Sequence, residues 1–450
     1  MKLEELKNKK IIILGFAREG MDTFLFLRKV FPGQILGVGD SCQLKELGKK
    51  AQKLIKEDKN IDVFLGKDYL KSLSRYDIII KSPGIKPKTI APFVKKQQIT
   101  SQTAIFFNNY PGNVVGVTGT KGKSTTASLI YRVLKAGGLD ADLIGNIGKP
   151  VLSSLSRKKR KDVYVYELSS HQLQYLKTSP HIAVLLNIYP EHLDYYKNFK
   201  EYVRAKFNIT LYQKKGDYLI YNAQDKIIRK IVKKSKIELP STGAKMKMKF
   251  SSPASRKIKI KGEYYQLDKE AAKAVGRIFK IPEKVILRAI NSFKGLPHRL
   301  ELVGTFDGIT FYNDALATIP EATIAAIKFL GNKVETIMLG GFNRNIDFKI
   351  LAKEVLKSKI KTVILFPETG KRIWKDILME AKGSRLPRSF SAENMEDAVR
   401  TAYSKTKKGK ICLLSTASAS FNMFKDYKEK GNAFKKYVKR FASKKIGRSS

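Results

Sequence analysis

Short apolar runs alternate with longer stretches of helical periodicity along the chain, and each run ends in a polar or glycine-rich turn. That alternation predicts strands followed by helices, the pattern of α/β domains with mostly parallel sheets. In the first block, Ile11–Leu14 leads into Gly15-Phe16-Ala17-Arg18-Glu19-Gly20 and a helix. A second run, Gln34–Val38, stops near Asp40, and a third, Asp77–Ile80, meets Ser82-Pro83-Gly84. The spacing reads as a nucleotide-binding fold, although Ala17 stands where the dinucleotide fingerprint has its second glycine. A tight strand-to-helix turn accounts for the same glycines.

The second block opens near Pro111-Gly112. Strand Asn113–Val117 enters a glycine-rich loop, then a helix from Ser124 to about Ala136 closed by Gly137-Gly138. Strands Asp162–Tyr166 and Ile182–Asn187 each end in polar residues, and Lys245–Phe250 with Lys257–Tyr265 alternates like a hairpin. The third block begins near Gly295. Its strands, Ile309–Tyr312, Thr336–Leu339, Thr362–Leu365 and Ile411–Leu414, again alternate with helical segments. The expected architecture is α/β in three domains, 1–110, 111–294 and 295–450.

Composition narrows the class. Hydrophobic residues make up 43% and aromatics 10% of the 450 residues, enough to fill ordinary cores and exclude wholesale disorder. Lys and Arg number 88 against 40 Asp and Glu, a formal charge of +48. Such a balance suits a nucleic-acid-stimulated NTPase. However, the lysines scatter along the whole chain, and no zinc-finger spacing, heptad repeat or aromatic RNA-binding signature accompanies them. Solvated faces that draw in anionic nucleotides are the expectation, without a nucleic-acid partner. Cys42 and Cys412 cannot build a disulfide framework or a zinc site alone, which fits a reducing cytoplasm. The opening residues lack the apolar core of a signal peptide, and no apolar run reaches the ~18 residues of a membrane span.

Gly116-Val117-Thr118-Gly119-Thr120-Lys121-Gly122-Lys123-Ser124-Thr125 is the most informative stretch. Its glycines let backbone N–H groups turn inward around phosphate oxygens, and the following helix N-terminus adds partial positive charge. Lys123 can reach the β- and γ-phosphates, and the Ser124 hydroxyl can ligate Mg²⁺. The loop names a nucleotide, not a reaction. Glu167 closes a strand in Tyr166-Glu167-Leu168-Ser169-Ser170-His171-Gln172, at the end where parallel strands meet ligands. A carboxylate there can hold Mg²⁺, though a solvated strand-end side chain is the plainer reading. His192, flanked by Glu191 and Asp194 just past the next strand, is a better metal-ligand candidate than a lone histidine.

Together these residues resemble the Mur ligase family. The matching motifs are Gly116–Thr126, Gly145–Pro150, Glu167–Leu173, Asn187–Asp194, Gly295–Arg299, Tyr312–Asp314, Leu339–Gly341 and Ser415–Tyr427. They run through all three blocks in the family's order. The resemblance implies a Rossmann-like N-terminal domain, a central ATPase domain and a Rossmann-like C-terminal domain. It implies a monomeric, cytoplasmic enzyme that uses ATP and two Mg²⁺ ions to join glutamate to UDP-N-acetylmuramoyl-L-alanine through an acyl phosphate. A related ligase with another acceptor or amino acid is the nearest alternative.

By the same resemblance, Gly15, Phe16, Ala17 and Asp40 would hold the UDP part, and Asn146, Gln172 and His192 the muramoyl side. Gly119, Thr120, Lys121, Gly122, Lys123, Ser124, Thr125, Thr126, Arg299 and Asp314 would hold ATP. Lys123, Glu167, His192 and Lys206 would be catalytic. Ser124, Glu167, His192 and a carbamylated Lys206 would hold metal. Thr318, Arg344, Ser420 and Tyr427 would hold the incoming amino acid. The sequence departs from the family at several points. Lys121 replaces a common Asn, and Leu316 replaces a Lys. Arg344 replaces a Lys of some relatives, and Tyr427 a common Phe. Gly262–Asp268 lacks the usual His-Asn and second Asn near adenine.

Overall fold

Three predominantly parallel sheets carry the apolar runs. The computed structural model describes residues 1–95, 98–155, 161–192, 195–233, 256–260, 264–293, 295–343, 346–381, 383 and 385–446. The chain splits into two compact units, Met1–Phe293 and Lys294–Ser450.

The first unit holds two sheets. One contains β1 (Ile11–Leu14), β2 (Leu36–Asp40), β3 (Ile61–Leu65), β4 (Ile78–Lys81) and β5 (Ile99–Thr100), in the order β3-β2-β1-β4-β5. The other contains β6 (Asn113–Thr118), β7 (Ala141–Gly145), β8 (Val163–Glu167), β9 (Ile182–Leu185), β10 (Tyr218–Asn222) and β11 (Arg256–Ile260). Its order is β11-β10-β9-β6-β8-β7, and every pairing is parallel. Sequential strands fan out to both sides of β6. The chain leaving β6 therefore emerges at the point where a parallel sheet reverses its winding, the usual ligand crevice.

β8 shows why such a run is apolar throughout. All five residues of Val163–Glu167 are buried, because both faces of the sheet are covered. Val163 and Val165 join the core beneath the helix Lys123–Ala136. Tyr164 and Tyr166 face the opposite core, where their rings stand edge-on to Phe106 at 5.6 and 5.7 Å. Each such aromatic pair adds ~0.5–1.5 kcal/mol beyond buried area. That second core also contains Ile11, Ile13, Val38 and Ile78 of the first sheet, so one apolar interior spans both sheets.

Polar contacts lock the same junction. Asp22, in the helix Arg18–Val30, accepts from Gln102 Nε2 at 2.8 Å, Leu152 N at 3.0 Å and Ser153 N at 3.4 Å. Burial pushes its carboxyl pKa up despite these donors. Arg18 donates to the backbone carbonyls of Asn146 and Gly148.

The second unit contains β12 (Glu301–Phe306), β13 (Ile309–Asn313), β14 (Val334–Gly341), β15 (Thr362–Glu368), β16 (Arg388–Ser391) and β17 (Ile411–Leu414), ordered β12-β13-β17-β14-β15-β16. Only the β12–β13 pair of this sheet is antiparallel. Leu339, Val363 and Leu413 fill one face; Met338, Ile364 and Cys412 fill the other.

Two expectations change. Lys257–Tyr265 does not form one arm of a hairpin: Arg256–Ile260 pairs parallel with Tyr218–Asn222, and a helix begins at Tyr264. A period of two marks an edge strand without naming its partner. The other arm, Lys245–Phe250, lies outside the described residues. The strand expected over Ile182–Asn187 ends at Leu185, because Leu186 and Asn187 turn to bond the glycine-rich loop. Among the described residues no helix is long and apolar enough to cross a membrane.

Asp22→Ala leaves three donors at the sheet junction without their acceptor. The expected outcome is a loss of about 2 kcal/mol in unfolding free energy, read from urea titration of the full chain. An unchanged midpoint would remove Asp22 from the junction's supports.

Candidate phosphate-loop active site

The loop leaving β6 is held in shape from several sides. Thr118 Oγ1 donates to Leu168 O at 2.8 Å, and Leu186 N donates to Thr118 O at 3.1 Å. Gly122 sits at φ +86°, and a Cβ there would lie 2.6 Å from Asp268 Oδ1. Both conditions require glycine. Asp268 also accepts from Thr126 Oγ1 at 2.6 Å, which ties the helix Tyr264–Ile278 to the loop's helix. The helix Lys123–Ala136 then begins with its first-turn N–H groups at the loop, the arrangement that binds phosphate.

Asn187 braces the loop by three bonds. Its carbonyl accepts from Thr120 N at 2.8 Å, its Oδ1 from Lys121 N at 2.7 Å, and its Nδ2 donates to Lys121 O at 3.0 Å. Thr120 Oγ1 pairs with the Tyr202 hydroxyl at 2.9 Å and accepts from Tyr189 N at 3.0 Å. Asn187 opens one of the recognised motif segments and Tyr202 precedes Lys206 by four residues, but their type signals nothing by itself, so the sequence reading assigned them no role.

Two lysines converge on one carbonyl. Lys123 Nζ donates to Gly119 O and Thr120 O, both at 3.0 Å, and Lys206 Nζ donates to Gly119 O at 2.8 Å. Lys206 lies on the helix Phe199–Leu211 and is 1% exposed. Its amine also stands 4.8 Å from the Tyr202 ring centre, one helical turn away. Burial, and then the neighbouring Lys123 charge, drive the Lys206 pKa well below the ordinary lysine value. An amine with a depressed pKa thus faces the phosphate loop.

Glu167 and His192 approach from adjoining strands. Glu167 is 3% exposed and pairs in register with Val117, placing its backbone one strand from the loop's origin. His192 adopts φ +58°, and its ring centre lies 4.8 Å from that of His171, which packs on Tyr195 at 4.2 Å. Glu191 bonds Lys121 Nζ at 2.7 Å and lies 3.8 Å from His192 Nε2. Burial alone would raise the Glu191 carboxyl; the Lys121 bond and charge, with Lys123 and His192, hold it below the ordinary value. Asp194 lies outside the described residues.

The residues expected to hold UDP and muramoyl groups share this unit. Asp40 accepts from Phe16 N at 2.7 Å and Cys42 N at 2.9 Å, pinning the Gly15–Ala17 loop to the end of β2. Asn146 N donates to Glu167 O at 3.4 Å. Gln172 is 3% exposed and donates to Glu19 Oε1 at 2.8 Å.

The second unit gathers its own polar groups at the strand ends. Asp314 accepts from Leu300 N at 3.1 Å and Ser415 Oγ at 2.8 Å. Burial lifts its pKa to about 6, against the pull of these donors and of Arg299. Arg299 is exposed, and Thr318 is partly buried. Ser420 is 4% exposed, and its hydroxyl has no hydrogen-bond partner among the described residues. A buried hydroxyl of this kind is completed by a ligand or water. Tyr427 packs 6.0 Å from His298. Lys430, 2% exposed, donates to Thr416 Oγ1 at 2.6 Å, and burial lowers its pKa to about 7. The sequence reading missed Lys430; an isolated lysine in a lysine-rich helix gives no signal. Arg344 lies outside the described residues.

Replacing Lys206 tests the depressed pKa of its amine. Because its folded pKa lies below the unfolded one, the unfolded chain binds more protons between the two values, so wild-type stability rises with pH in that window. Lys206→Met removes the slope. The stability advantage of the variant over wild type, measured by urea titration in CO₂-free buffer, should shrink as pH climbs toward 10.5. A pH-independent difference would contradict an amine buried without charge.

Comparison with known proteins follows the same lines. Residues 117–281 match the Mur ligase middle domain, and residues 298–418 match the Mur ligase glutamate ligase domain. A relative from Acetivibrio thermocellus, named UDP-N-acetylmuramoylalanine–D-glutamate ligase, is 33% identical over 462 residues, 97% of each chain. A relative of the same name from Clostridium acetobutylicum is 33% identical over 455 residues, covering 96% of this chain and 97% of its own. Among solved structures, UDP-N-acetylmuramate-alanine ligase MurC of Thermotoga maritima covers 97% of this chain and 100% of its own, with TM-score 0.53 at 16% identity. The MurF ligase of Thermotoga maritima in complex with ADP covers 89% of this chain and 97% of its own, with TM-score 0.53 at 18% identity.

Proposed function

The chain belongs to the Mur ligase family of ATP-dependent amide-bond-forming ligases, and we propose that it joins D-glutamate to UDP-N-acetylmuramoyl-L-alanine in peptidoglycan synthesis. The observation that carries this reading is the convergence of Lys123 and Lys206 on the Gly119 carbonyl, beside Glu191, His192 and the end of β8. ATP would place its phosphates on the loop and the N-terminus of the helix Lys123–Ala136. The acceptor would lie from the Gly15–Ala17 loop toward Asn146, Gln172 and His192. Thr318, Arg344, Ser420 and Tyr427, with the buried open hydroxyl of Ser420, would receive glutamate.

A carboxylate is a poor acylating agent. Transfer of the γ-phosphoryl group to the alanyl carboxylate gives an acyl phosphate with a good leaving group. The glutamate amine then attacks the carbonyl, and phosphate departs. Lys123 would leave the Gly119 and Thr120 carbonyls for the phosphates and offset the charge as one anion meets another. Bound Mg²⁺ would further neutralise phosphate charge.

The residues suit such a cation in chemistry. Ser124 supplies a hydroxyl and Glu167 a buried carboxylate, while among the described residues no three His, Cys, Asp or Glu gather into a metal-binding group. A carbamate formed from the Lys206 amine and CO₂, with loss of a proton, would add an anionic oxygen beside the loop. In the proposed partition, 1–110 would bind UDP, 111–294 ATP and 295–450 the amino acid; the presence of one sheet in each stretch supports it. The substrates belong to the cytoplasm, so the reaction would occur there.

Mass spectrometry of reactions containing ATP, UDP-N-acetylmuramoyl-L-alanine and either glutamate enantiomer tests the reading. Expected are the D-glutamyl product, ADP and phosphate; turnover only with another acceptor or with L-glutamate would replace this assignment. Lys206→Ala should lose at least ~100-fold in rate, the range of a removed electrostatic partner. Small carboxylates such as formate should partly restore it. Full activity in Lys206→Ala would refute the carbamate.

A further inference from the structure

Gln172 was expected to read the muramoyl side, yet both ends of its amide are engaged within the chain. Its Nε2 donates to Glu19 Oε1 at 2.8 Å, and its Oε1 accepts from Ser169 N at 2.9 Å and Ser169 Oγ at 3.1 Å. Gln172 is therefore a brace, and the group it braces is Glu19.

Glu19 stands in the first turn of the helix Arg18–Val30, directly after the Gly15–Ala17 loop. It is half-buried, and among the described residues Gln172 is the side chain that donates a hydrogen bond to its carboxylate, while neither Arg18 nor Lys81 closes an ion pair on it. Its Oε2 thus remains available. Lys81, at the end of β4, is 5% exposed and donates to the carbonyls of Ser82 at 3.0 Å and Ile85 at 2.9 Å. The ammonium charge lies in the same region and acts on Glu19 through the field rather than by contact. Tyr195 clamps the same turn from the second sheet, donating to Pro83 O and Ile85 O at 3.2 Å each.

The result is a fixed carboxylate oxygen between the loop that would hold UDP and the segment that carries His171. A carboxylate repels phosphate, so it cannot serve the diphosphate. It can accept from a neutral N–H or O–H. The stretch of acceptor that must pass this point, the muramoyl–alanyl arm, offers amide N–H groups and hydroxyls.

We propose that Glu19 is a specificity-determining residue for the acceptor, its Oε2 accepting a hydrogen bond from an amide N–H or hydroxyl of the muramoyl–alanyl arm while Gln172 fixes its orientation. This inference rests on the functional reading above and deepens it. Burial raises the Glu19 pKa in the structure, and a donated hydrogen bond from substrate would offset that burial.

Glu19→Gln separates a reader from a strut. The new amide oxygen can still accept from Gln172 Nε2, so a purely structural Glu19 predicts wild-type behaviour. A reading Glu19 predicts a donor facing a donor. The expected result is a KM for UDP-N-acetylmuramoyl-L-alanine raised about tenfold or more, the size of a lost hydrogen bond to a charged group. The KM values for ATP and D-glutamate and the saturating kcat should stay within about twofold. Calorimetric binding of the acceptor alone should weaken in parallel. An acceptor KM and affinity within twofold of wild type would overturn the proposal. The functional reading is checked first, on the wild-type chain: no phosphate release with this acceptor would sink that reading, and this proposal with it, whereas an active wild type matched by Glu19→Gln would sink this proposal alone.

Discussion

The Gly119 carbonyl, shared by two lysine amines, is the constraint around which the site is organised. Two ammonium groups on one oxygen would repel strongly in a low-dielectric interior. The conflict is resolved by burial. Lys206 lies deep, where burial lowers its pKa well below the ordinary lysine value, whereas Lys123 sits in the loop where nucleotide phosphates would meet it. On the proposed reading Lys123 would serve phosphate, and Lys206 would be the amine open to CO₂. The same residue type performs opposite tasks because its surroundings differ, not its chemistry.

That arrangement depends on a rigid frame. The loop hangs from β6, the strand at which the sheet reverses its winding, and Asn187, just past β9, grips it at three points. The second sheet shares an apolar core with the first, and Asp22, Arg18 and Tyr195 stitch the two together. A long acceptor anchored at one end would present its other end at a set place. Positioning of this kind is a large share of what an enzyme supplies to a phosphoryl transfer.

Much of this was legible in the residues. The loop motif, the strand before it and the helix after it follow from glycine spacing and periodicity. So do the fully apolar strands, which mark sheets covered on both faces. The parts that escaped have physical reasons. The strand Ala141–Gly145 alternates too weakly to stand out, and Arg256–Ile260 carries a two-residue period that fits either a hairpin or a parallel edge. Asn187, Tyr202 and Lys430 act through placement, and a single side chain of common type carries no spacing signal. Gln172 is a different case. Its position in a motif was readable, but its engagement by Glu19, 153 residues away in sequence, depends on how the two sheets pack.

The large positive charge takes on a more local meaning in this setting. Lys121 adds a second lysine to a loop that already holds Lys123. Within the chain it is answered by Glu191 at 2.7 Å, a partly solvated pair whose net worth is small, about 0–1 kcal/mol. A weak pair is easily exchanged. On the proposed reading an arriving polyphosphate would compete for Lys121 and free Glu191, which lies 3.8 Å from His192 Nε2. The excess of lysine elsewhere sets a long-range attraction for anionic substrates that salt screens within ~10 Å. At the loop itself, the decisive quantity is which lysine is buried, because burial lowers the pKa of Lys206 well below the ordinary value.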